Sequence, residues 1–285
     1  MFRLLNVSGR SALEVDGKWF DVATVAGDER LADPMEAIAR SAELHGLGDR
    51  CDPGQAGGEV GETTLGPPSP RPRQVFGIGV NYAKHAAESG LDAPPAPLTF
   101  TKFPSSLAGP TADVPLSGDK VDWEVEIVAV IGTRCSRVDV GGAWDVVAGL
   151  TLGQDISDRA VQFTNTPAQF SLGKSFPAYA PIGPALVSVD AFGDPDDLSL
   201  WCDVSGERMQ QARSSQMIFS IPRLVAYLSS ICTLEPGDLV FTGTPDGVGM
   251  ARDRFLVEGD LIESGADGIG RLSNRCVAGA GPVTA

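Results

Sequence analysis

A series of short β-rich runs, separated by turns that contain glycine and proline, sets the limits of the fold. In the larger part of the chain these runs are Val75 to Val80, Val125 to Ile131, Ala185 to Val189, Leu200 to Val204 and Leu239 to Thr242. Only three stretches favour helix, near residues 82–89, 143–148 and 217–231. The excess of strands over helices predicts an α+β fold that is mainly β, with antiparallel or mixed sheets, rather than a doubly wound α/β sheet.

Composition excludes several classes of function. The chain has 285 residues and a formal net charge of −15, without a basic run that could bind nucleic acid or an anionic membrane. Its apolar runs are far shorter than the ~20 residues that span a bilayer, and its N-terminus lacks the features of a signal peptide. The five cysteines are scattered, without a C-x-x-C pair, so we expect neither a zinc ribbon nor disulfides, and a cytoplasmic location.

The composition changes near residue 70. Residues 1–70 predict a small N-terminal α/β unit. The observations are strand-like runs at 3–6, 11–15 and 18–23, a hairpin turn at Asp16-Gly17 and a helix start at Asp33-Pro34. Residues 49–72 are rich in glycine, proline, serine and threonine and predict a linker. We therefore expect a small N-terminal domain with its linker at 1–70 and a larger domain at 71–285.

An acidic cluster is the first candidate site. Residues 121–127 alternate at the period of a strand, which places Glu124 and Glu126 on one face and apolar residues on the other. This pattern alone could be an ordinary strand with a solvated acidic face. Asp155, at the end of a second apolar run, adds a third carboxylate. Three carboxylates form a hard oxygen-ligand set that suits Mg²⁺, Mn²⁺ or Ca²⁺ and does not suit zinc.

The chain has two histidines, which excludes a site built on three. His85 and Glu88 lie three residues apart on a predicted helix, so they face the same way and could form a general base or an exposed surface pair. His45 lies at a predicted helix end, where a capping or surface role is expected.

Three further segments could bind an anionic ligand. Lys174 lies between apolar residues, where a lysine either reaches to water or serves an anion. The loop 100–110 carries Lys102 and the hydroxyl of Ser105, and it could hold a carboxylate or be an ordinary loop. Residues 239–249, which include Thr244, leave a strand for a loop of small residues that a ligand can approach closely.

Six ordered segments together resemble the fumarylacetoacetate hydrolase family. They are GIGVNYAKHAAE (77–88), FTKFPSSLAGP (100–110), VDWEVEIVAVIG (121–132), QDISDRAVQ (154–162), LGKSFPAYAPIGPALV (172–187), and the MIF, LVAYLSS and TLEPGDLVFTGTPDGVG pieces of 217–249. The resemblance implies a mixed β-roll of packed sheets over the catalytic domain, 71–285, and a homodimer. Where this chain departs from the family pattern, Lys84 and Asp246 place charged residues beside the implied site, and no implied ligand is lost.

The resemblance also assigns roles to residues. It implies metal ligands at Glu124, Glu126 and Asp155, catalytic groups at His85, Glu88 and Lys174, and substrate contacts at Arg159, Gln162, Ser105 and Thr244. The implied cofactor is Mg²⁺ or Mn²⁺, with Ca²⁺ as a further option, and no organic cofactor is expected. The implied partner is a small 2-oxo or 2,4-dioxo acid, with no nucleic acid and no membrane.

The implied reaction is hydrolysis of a carbon–carbon bond in an acylpyruvate-like 2,4-dioxo acid, which releases pyruvate or a similar 2-oxo acid through an enolate. Other reactions of the family remain open, because they also proceed through an enolate: decarboxylation, isomerisation or hydration of 2-oxo diacids such as oxaloacetate or 2-hydroxyhepta-2,4-diene-1,7-dioate, and cleavage of 2,4-dioxo-3-deoxy sugar acids. A non-catalytic metal-binding protein is a further alternative.

Overall fold

The computed structural model describes residues 1–90 and 92–279, and over these residues the chain is mainly β, as predicted. Its strands are β1 (Arg3–Val7), β2 (Arg10–Val15), β3 (Lys18–Asp21), β4 (Gly58–Glu59), β5 (Leu65–Gly66), β6 (Val75–Gly79), β7 (Leu98–Thr101), β8 (Leu107–Ala108), β9 (Val114–Leu116), β10 (Val121–Asp122), β11 (Val125–Ile131), β12 (Val147–Gln154), β13 (Ser157–Asp158), β14 (Ala180–Val187), β15 (Ser199–Val204), β16 (Glu207–Arg213), β17 (Leu239–Phe241), β18 (Leu261–Ala266) and β19 (Gly270–Ala278).

The α-helices are short. They are α1 (Val22–Ala26), α2 (Pro34–Ala39), α3 (Ala83–Glu88), α4 (Arg159–Gln162), α5 (Phe170–Gly173) and α6 (Ile221–Ile231). Helix α2 begins as predicted, with Asp33 as its N-cap and Pro34 in the first turn. Among the described residues, no helix has both the length and the apolar character needed to cross a membrane.

Most strands belong to one mixed sheet of twelve strands, whose main path runs β4-β3-β2-β1-β14-β12-β11-β17-β6-β7. A second sheet of five strands has the order β16-β15-β18-β19-β9. In β11 all seven residues are buried, because its odd-numbered side chains face one apolar core and Val128 and Val130 face another. The first core includes residues of the five-stranded sheet and α6, and the second includes the N-terminal helices.

The predicted boundary near residue 70 does not interrupt the large sheet. Strand β1 pairs antiparallel with β14, and the segment predicted as linker contributes β4, which pairs with β3, and β5, which pairs with β1. The N-terminal segment thus extends the sheet of the larger part. The division into two domains stays a prediction.

The prediction of a helix near residues 143–148 is wrong. Residues Trp144–Val146 form a single 3₁₀ turn, and β12 begins at Val147. Strand β12 is buried along its whole length and pairs with β11 on one side and β14 on the other, so tertiary pairing overrides local helix preference. The helix predicted at 217–231 begins only at Ile221, with Pro222 in its first turn.

Candidate active site

The three carboxylates converge because of how β11 and β12 pair. Glu124 precedes β11, Glu126 lies within it, and Asp155 follows β12. The strands are antiparallel, with Val125 opposite Gln154, so the start of one lies beside the end of the other. The Asp155 amide donates to the Glu124 carbonyl at 2.9 Å. The three side chains are buried, and one ligand atom from each lies within 4.8 Å of the others.

Three buried cations surround these carboxylates. Lys174 Nζ lies 2.7 Å from both Glu124 Oε2 and Asp155 Oδ2. Arg159 Nη2 donates to Glu124 Oε1 at 2.6 Å, and Lys102 Nζ contacts Asp155 Oδ1 at 2.6 Å. Burial raises the pKa of Glu124, but the charges of Lys174 and Arg159 outweigh it and hold that pKa below its ordinary range.

The two lysines respond differently to the same surroundings. Burial lowers the pKa of both side chains. For Lys174 the charges of Asp155 and Glu124 outweigh burial, so its pKa is raised. For Lys102 burial dominates over its single carboxylate partner, so its pKa is lowered. The surroundings of Lys174 therefore favour its protonated form.

Glu126 is the carboxylate of this cluster that has no cation partner among the described residues. Its Oε2 accepts the Gly243 amide at 2.7 Å. Burial, followed by the charges of Asp155 and Glu124, raises the pKa of Glu126 well above its ordinary value. The hydroxyl of Tyr82 is also buried without a described partner, and burial together with the charge of Glu126 raises its pKa.

A divalent metal ion fits this arrangement. Glu124, Glu126 and Asp155 offer hard oxygen atoms, which Mg²⁺ and Mn²⁺ prefer. Four buried carboxylates, counting Asp122 beside Arg159, face three cations, which leaves one negative charge when all are ionised. A proton on Glu126 neutralises the cluster, whereas a divalent ion would give it one positive charge and so favour an anionic ligand.

His85 and Glu88 form a pair on α3. Their Nδ1 and Oε1 atoms are 2.7 Å apart, and the His85 side chain is buried. The amide of Gly247 donates to both Glu88 oxygens, at 3.0 and 3.2 Å, and so holds the carboxylate in place. Because an ionised carboxylate only accepts hydrogen bonds, it favours the tautomer that carries hydrogen on Nδ1 and leaves Nε2 as an acceptor.

His85 lines a cavity of about 330 Å³, and Glu124 is the carboxylate of the cluster that lines it as well. Its lining includes Glu124, Lys174, Arg159, Gln162 and Thr244 from the predicted set. The Thr244 hydroxyl donates to the Val125 carbonyl at 2.9 Å, so it can only accept from a ligand in this arrangement. The cavity therefore has a histidine that can accept a proton and a charged inner end beside it.

Of the predicted site residues, Glu88, Glu126, Asp155 and Ser105 are not part of the lining of this cavity. Ser105 is exposed and lies outside the lining, so its position does not support a substrate contact. His45 does not line this cavity either, and it contacts Asp190.

Sequence reasoning also missed several residues. Asp122 accepts from Arg159 Nε at 2.8 Å and from the Gly249 amide at 2.6 Å, and it alternates with Glu124 in the strand pattern. Gln210 contacts Thr244 and carried no signal in the sequence. Lys102 was noted only as part of the loop 100–110, which could hold a carboxylate or be an ordinary loop, and its full burial against Asp155 was not predicted.

A mainly β fold in which His85, paired with Glu88, and Glu124 of the carboxylate cluster line one cavity is typical of an enzyme of the hydrolase or isomerase kind. The family model for the fumarylacetoacetate (FAA) hydrolase C-terminal domain matches residues 74–277. A relative from Burkholderia ambifaria (strain MC40-6), provisionally named a hydrolase, is 40% identical over 263 residues, which are 90% of this chain and 91% of the relative. The chain belongs to the fumarylacetoacetate hydrolase family.

Solved structures agree in fold. A Mycobacterium smegmatis protein provisionally named HpcE superposes with a TM-score of 0.90 at 42% identity, over 97% of this chain and 99% of that one. Maleylpyruvate hydrolase from Sphingobium sp. SYK-6, in complex with manganese(II) and pyruvate, superposes with a TM-score of 0.82 at 28% identity, over 97% of this chain and 99% of that one. The 2-hydroxyhepta-2,4-diene-1,7-dioate isomerase of Mycobacterium marinum superposes with a TM-score of 0.77 at 27% identity, over 98% of this chain and 100% of that one.

Proposed function

We propose that the protein is a divalent-metal-dependent hydrolase that cleaves a carbon–carbon bond in a 2,4-dioxo acid and releases pyruvate or a similar 2-oxo acid. The observation that carries the proposal is that one cavity is lined both by His85, which pairs with Glu88, and by Glu124, whose carboxylate converges with those of Glu126 and Asp155. Maleylpyruvate hydrolase, of similar fold, was solved with manganese(II) and pyruvate. That complex supports both the metal and the product class.

Glu124, Glu126 and Asp155 would hold the ion, with Mg²⁺ or Mn²⁺ favoured and Ca²⁺ as a further option. When bound, the ion would withdraw electron density from the 2-oxo group and offset the negative charge that develops there. Lys174 and Arg159 orient Glu124 through hydrogen bonds of 2.6–2.7 Å and remain charged. Their charge also favours binding of the substrate carboxylate at this end of the cavity.

The base in this proposal is His85. Its Nε2 takes a proton from water as the oxygen forms a bond to the C4 carbonyl carbon of the substrate. The bond between C3 and C4 then breaks, and its electron pair remains on the three-carbon fragment as an enolate. Return of the proton from His85 to C3 gives the 2-oxo acid, and the acyl group leaves as a carboxylic acid. Glu88 keeps Nδ1 protonated throughout and stabilises the positive charge on the ring.

Isomerisation of a 2-oxo diacid is the second candidate, and the similarity in fold to the isomerase from Mycobacterium marinum favours it. Both reactions need proton transfer at C3, for which His85 is equally placed. Product analysis separates them: hydrolysis gives two acids, isomerisation gives one product of unchanged mass, and decarboxylation gives CO₂.

The test uses protein stripped with EDTA and then supplied with Mg²⁺ or Mn²⁺, against a panel of 2-oxo and 2,4-dioxo acids. We expect turnover of 2,4-dioxo acids only with added metal, with pyruvate as one product. His85→Ala should lower kcat by about 10²–10⁴ and leave metal affinity unchanged. The matched control is His45→Ala, the other histidine of the chain, which should keep full activity. A near-normal rate in His85→Ala would refute the assigned base.

We also propose that the chain assembles as a homodimer, as the family resemblance implies, and that it lies in the cytoplasm, as its scattered cysteines indicate. Light scattering in solution tests the mass: a dimer should give twice the monomer mass of 29.7 kDa.

A further inference from the structure

The active-site cavity has two chemically different ends. Its ionisable groups, Glu124, Arg159, Lys174 and His85, are buried. The remaining lining is largely apolar and includes three phenylalanines and a methionine. A substrate whose carboxylate binds at the charged end must place its acyl group against these apolar walls.

One apolar wall is aromatic and continuous. Lys174 Nζ lies 4.9 Å from the ring centre of Phe100, and Phe100 lies 5.7 Å from Phe170. Phe170 in turn lies 6.1 Å from Phe163, which is 47% exposed. The three rings therefore extend from the buried lysine to the surface. Ile78, Val80 and Met250 add further apolar lining.

The cations that line the cavity are already paired. Arg159 donates Nε to Asp122, Nη1 to Gln162 and Nη2 to Glu124, and Lys174 bridges Glu124 and Asp155. No other lysine or arginine lines the cavity within the described residues 1–90 and 92–279. A second carboxylate at the outer end of a substrate would therefore lose water without gaining a cation, which is unfavourable.

We infer that the enzyme selects 2,4-dioxo acids whose acyl group is neutral and apolar, aryl or alkyl, over diacids of the same length. Phe163, Phe170 and Met250 are the specificity-determining residues. The inference rests on the proposed function and departs from the diacid substrates that remain open for it.

The first test compares acids of matched length that differ at the outer end. The pair is 2,4-dioxoheptanoate and 2,4-dioxoheptanedioate, assayed with wild-type protein and Mn²⁺, together with 2,4-dioxo-4-phenylbutanoate. We expect kcat/KM to favour the monoacid at least ~10-fold and to rise about three- to fourfold for each added methylene that the wall can bury. Equal or better use of the diacid, or no rise with chain length, would overturn the inference.

Calorimetry gives a second readout that does not depend on turnover. The affinity of the metal-loaded protein for each acid should show the same order, with the monoacid bound more tightly. If neither acid is cleaved, the proposed hydrolysis fails, and the order of affinities still decides the inference: tighter monoacid binding supports it, and equal or tighter diacid binding overturns it.

Variants test which residues determine the preference for a neutral acyl group. Phe163→Arg places a cation at the outer end and should shift the ratio of monoacid to diacid kcat/KM toward the diacid by about 10-fold, because the outer carboxylate then gains a charged partner. Phe163→Ala should lower kcat/KM for the phenyl substrate. Phe103→Ala is the matched control, because Phe103 is 50% exposed and does not line the cavity, and it should leave every ratio unchanged. An unchanged ratio in a folded Phe163→Arg would contradict the assignment.

Discussion

Glu88 acts on the proposed chemistry through His85. Its carboxylate joins the His85 ring to the Gly247 amide, so it fixes both the tautomer and the direction of the imidazole. A glutamine in its place can donate to Nδ1 and so favour the wrong tautomer. We expect Glu88→Gln to lower kcat by about 10²–10⁴, with metal affinity unchanged.

The matched control for Glu88→Gln is Glu43→Gln. Glu43 also pairs with a residue three positions away, Arg40, but at the surface. Steady-state kinetics should show normal activity in the control. Equal kcat in the two variants would show that the His85–Glu88 pair is an ordinary surface-type contact.

Glu126 links the metal site to pH. Burial and the charges of Asp155 and Glu124 raise its pKa in the folded state, whereas in the unfolded chain it ionises near 4.5. The folded protein therefore binds more protons than the unfolded chain above that pH, and its free energy of unfolding falls as pH rises toward the folded pKa. Metal-free wild-type protein should therefore lose stability as pH rises above about 4.5 and toward the raised pKa of Glu126.

Glu126→Gln removes this titration. Its Tm in EDTA should fall less between pH 5 and 8 than that of wild type, and Mn²⁺ should no longer raise it. Differential scanning calorimetry at several pH values makes the comparison. Parallel pH profiles of variant and wild type would mean that Glu126 titrates normally.

At the scale of elements, the site depends on where strands end. Strands β11 and β12 bring their carboxylates together at one edge, and the loop after β17 supplies the Gly243 amide to Glu126. The loop can do this because Gly243 has φ of +102° and its α-carbon faces Asn81 closely. An added Cβ would lie 2.6 Å from the Asn81 Cβ, and Asn81 is itself held by hydrogen bonds to Phe219 and Thr242.

Gly243→Ala should therefore cost about 3 kcal/mol or more in the free energy of unfolding, because strain and overpacking add, and it should weaken Mn²⁺ binding. Gly259→Ala is the control: Gly259 has φ of +90° but no atom within 4 Å of an added Cβ, so only about 1–2 kcal/mol should be lost, with metal affinity intact. Urea denaturation and Mn²⁺ titration measure both quantities. Similar losses in the two variants would show that the contact with Asn81 is unimportant.

Local pattern predicted the elements whose periodicity agrees with their burial. The alternation around Glu124 and Glu126 placed Trp123, Val125 and Ile127 on a buried face, and all three lie in the core. The apolar run at 147–154 carried no periodicity, so its strand state depends on pairing partners distant in sequence. The burial of Lys102 was likewise not predictable, because its partner Asp155 lies 53 residues away.

At the scale of the whole molecule, the net charge of −15 says little about the ligand. The charge near the inner end of the cavity depends on three buried cations and on the ion that three carboxylates can hold. Most of the excess acidic side chains lie at the surface, where solvent screens their charge. With a divalent ion held there, the cluster would carry one positive charge, so an acidic chain could bind an acidic substrate.

The large sheet makes a prediction about how the chain unfolds. Leu4 in β1 lies opposite Leu186 in β14 and is fully buried in the second core. Because this sheet continues from the N-terminal strands to β11, which carries Glu126, we expect one cooperative transition for the whole chain. Leu4→Ala should cost about 2–5 kcal/mol and lower the Tm of that transition by about 5 °C or more. Leu172→Ala, at a side chain 64% exposed, should change it little. Calorimetry that resolves two transitions, with only the smaller one shifted by Leu4→Ala, would instead support two independent domains divided near residue 70.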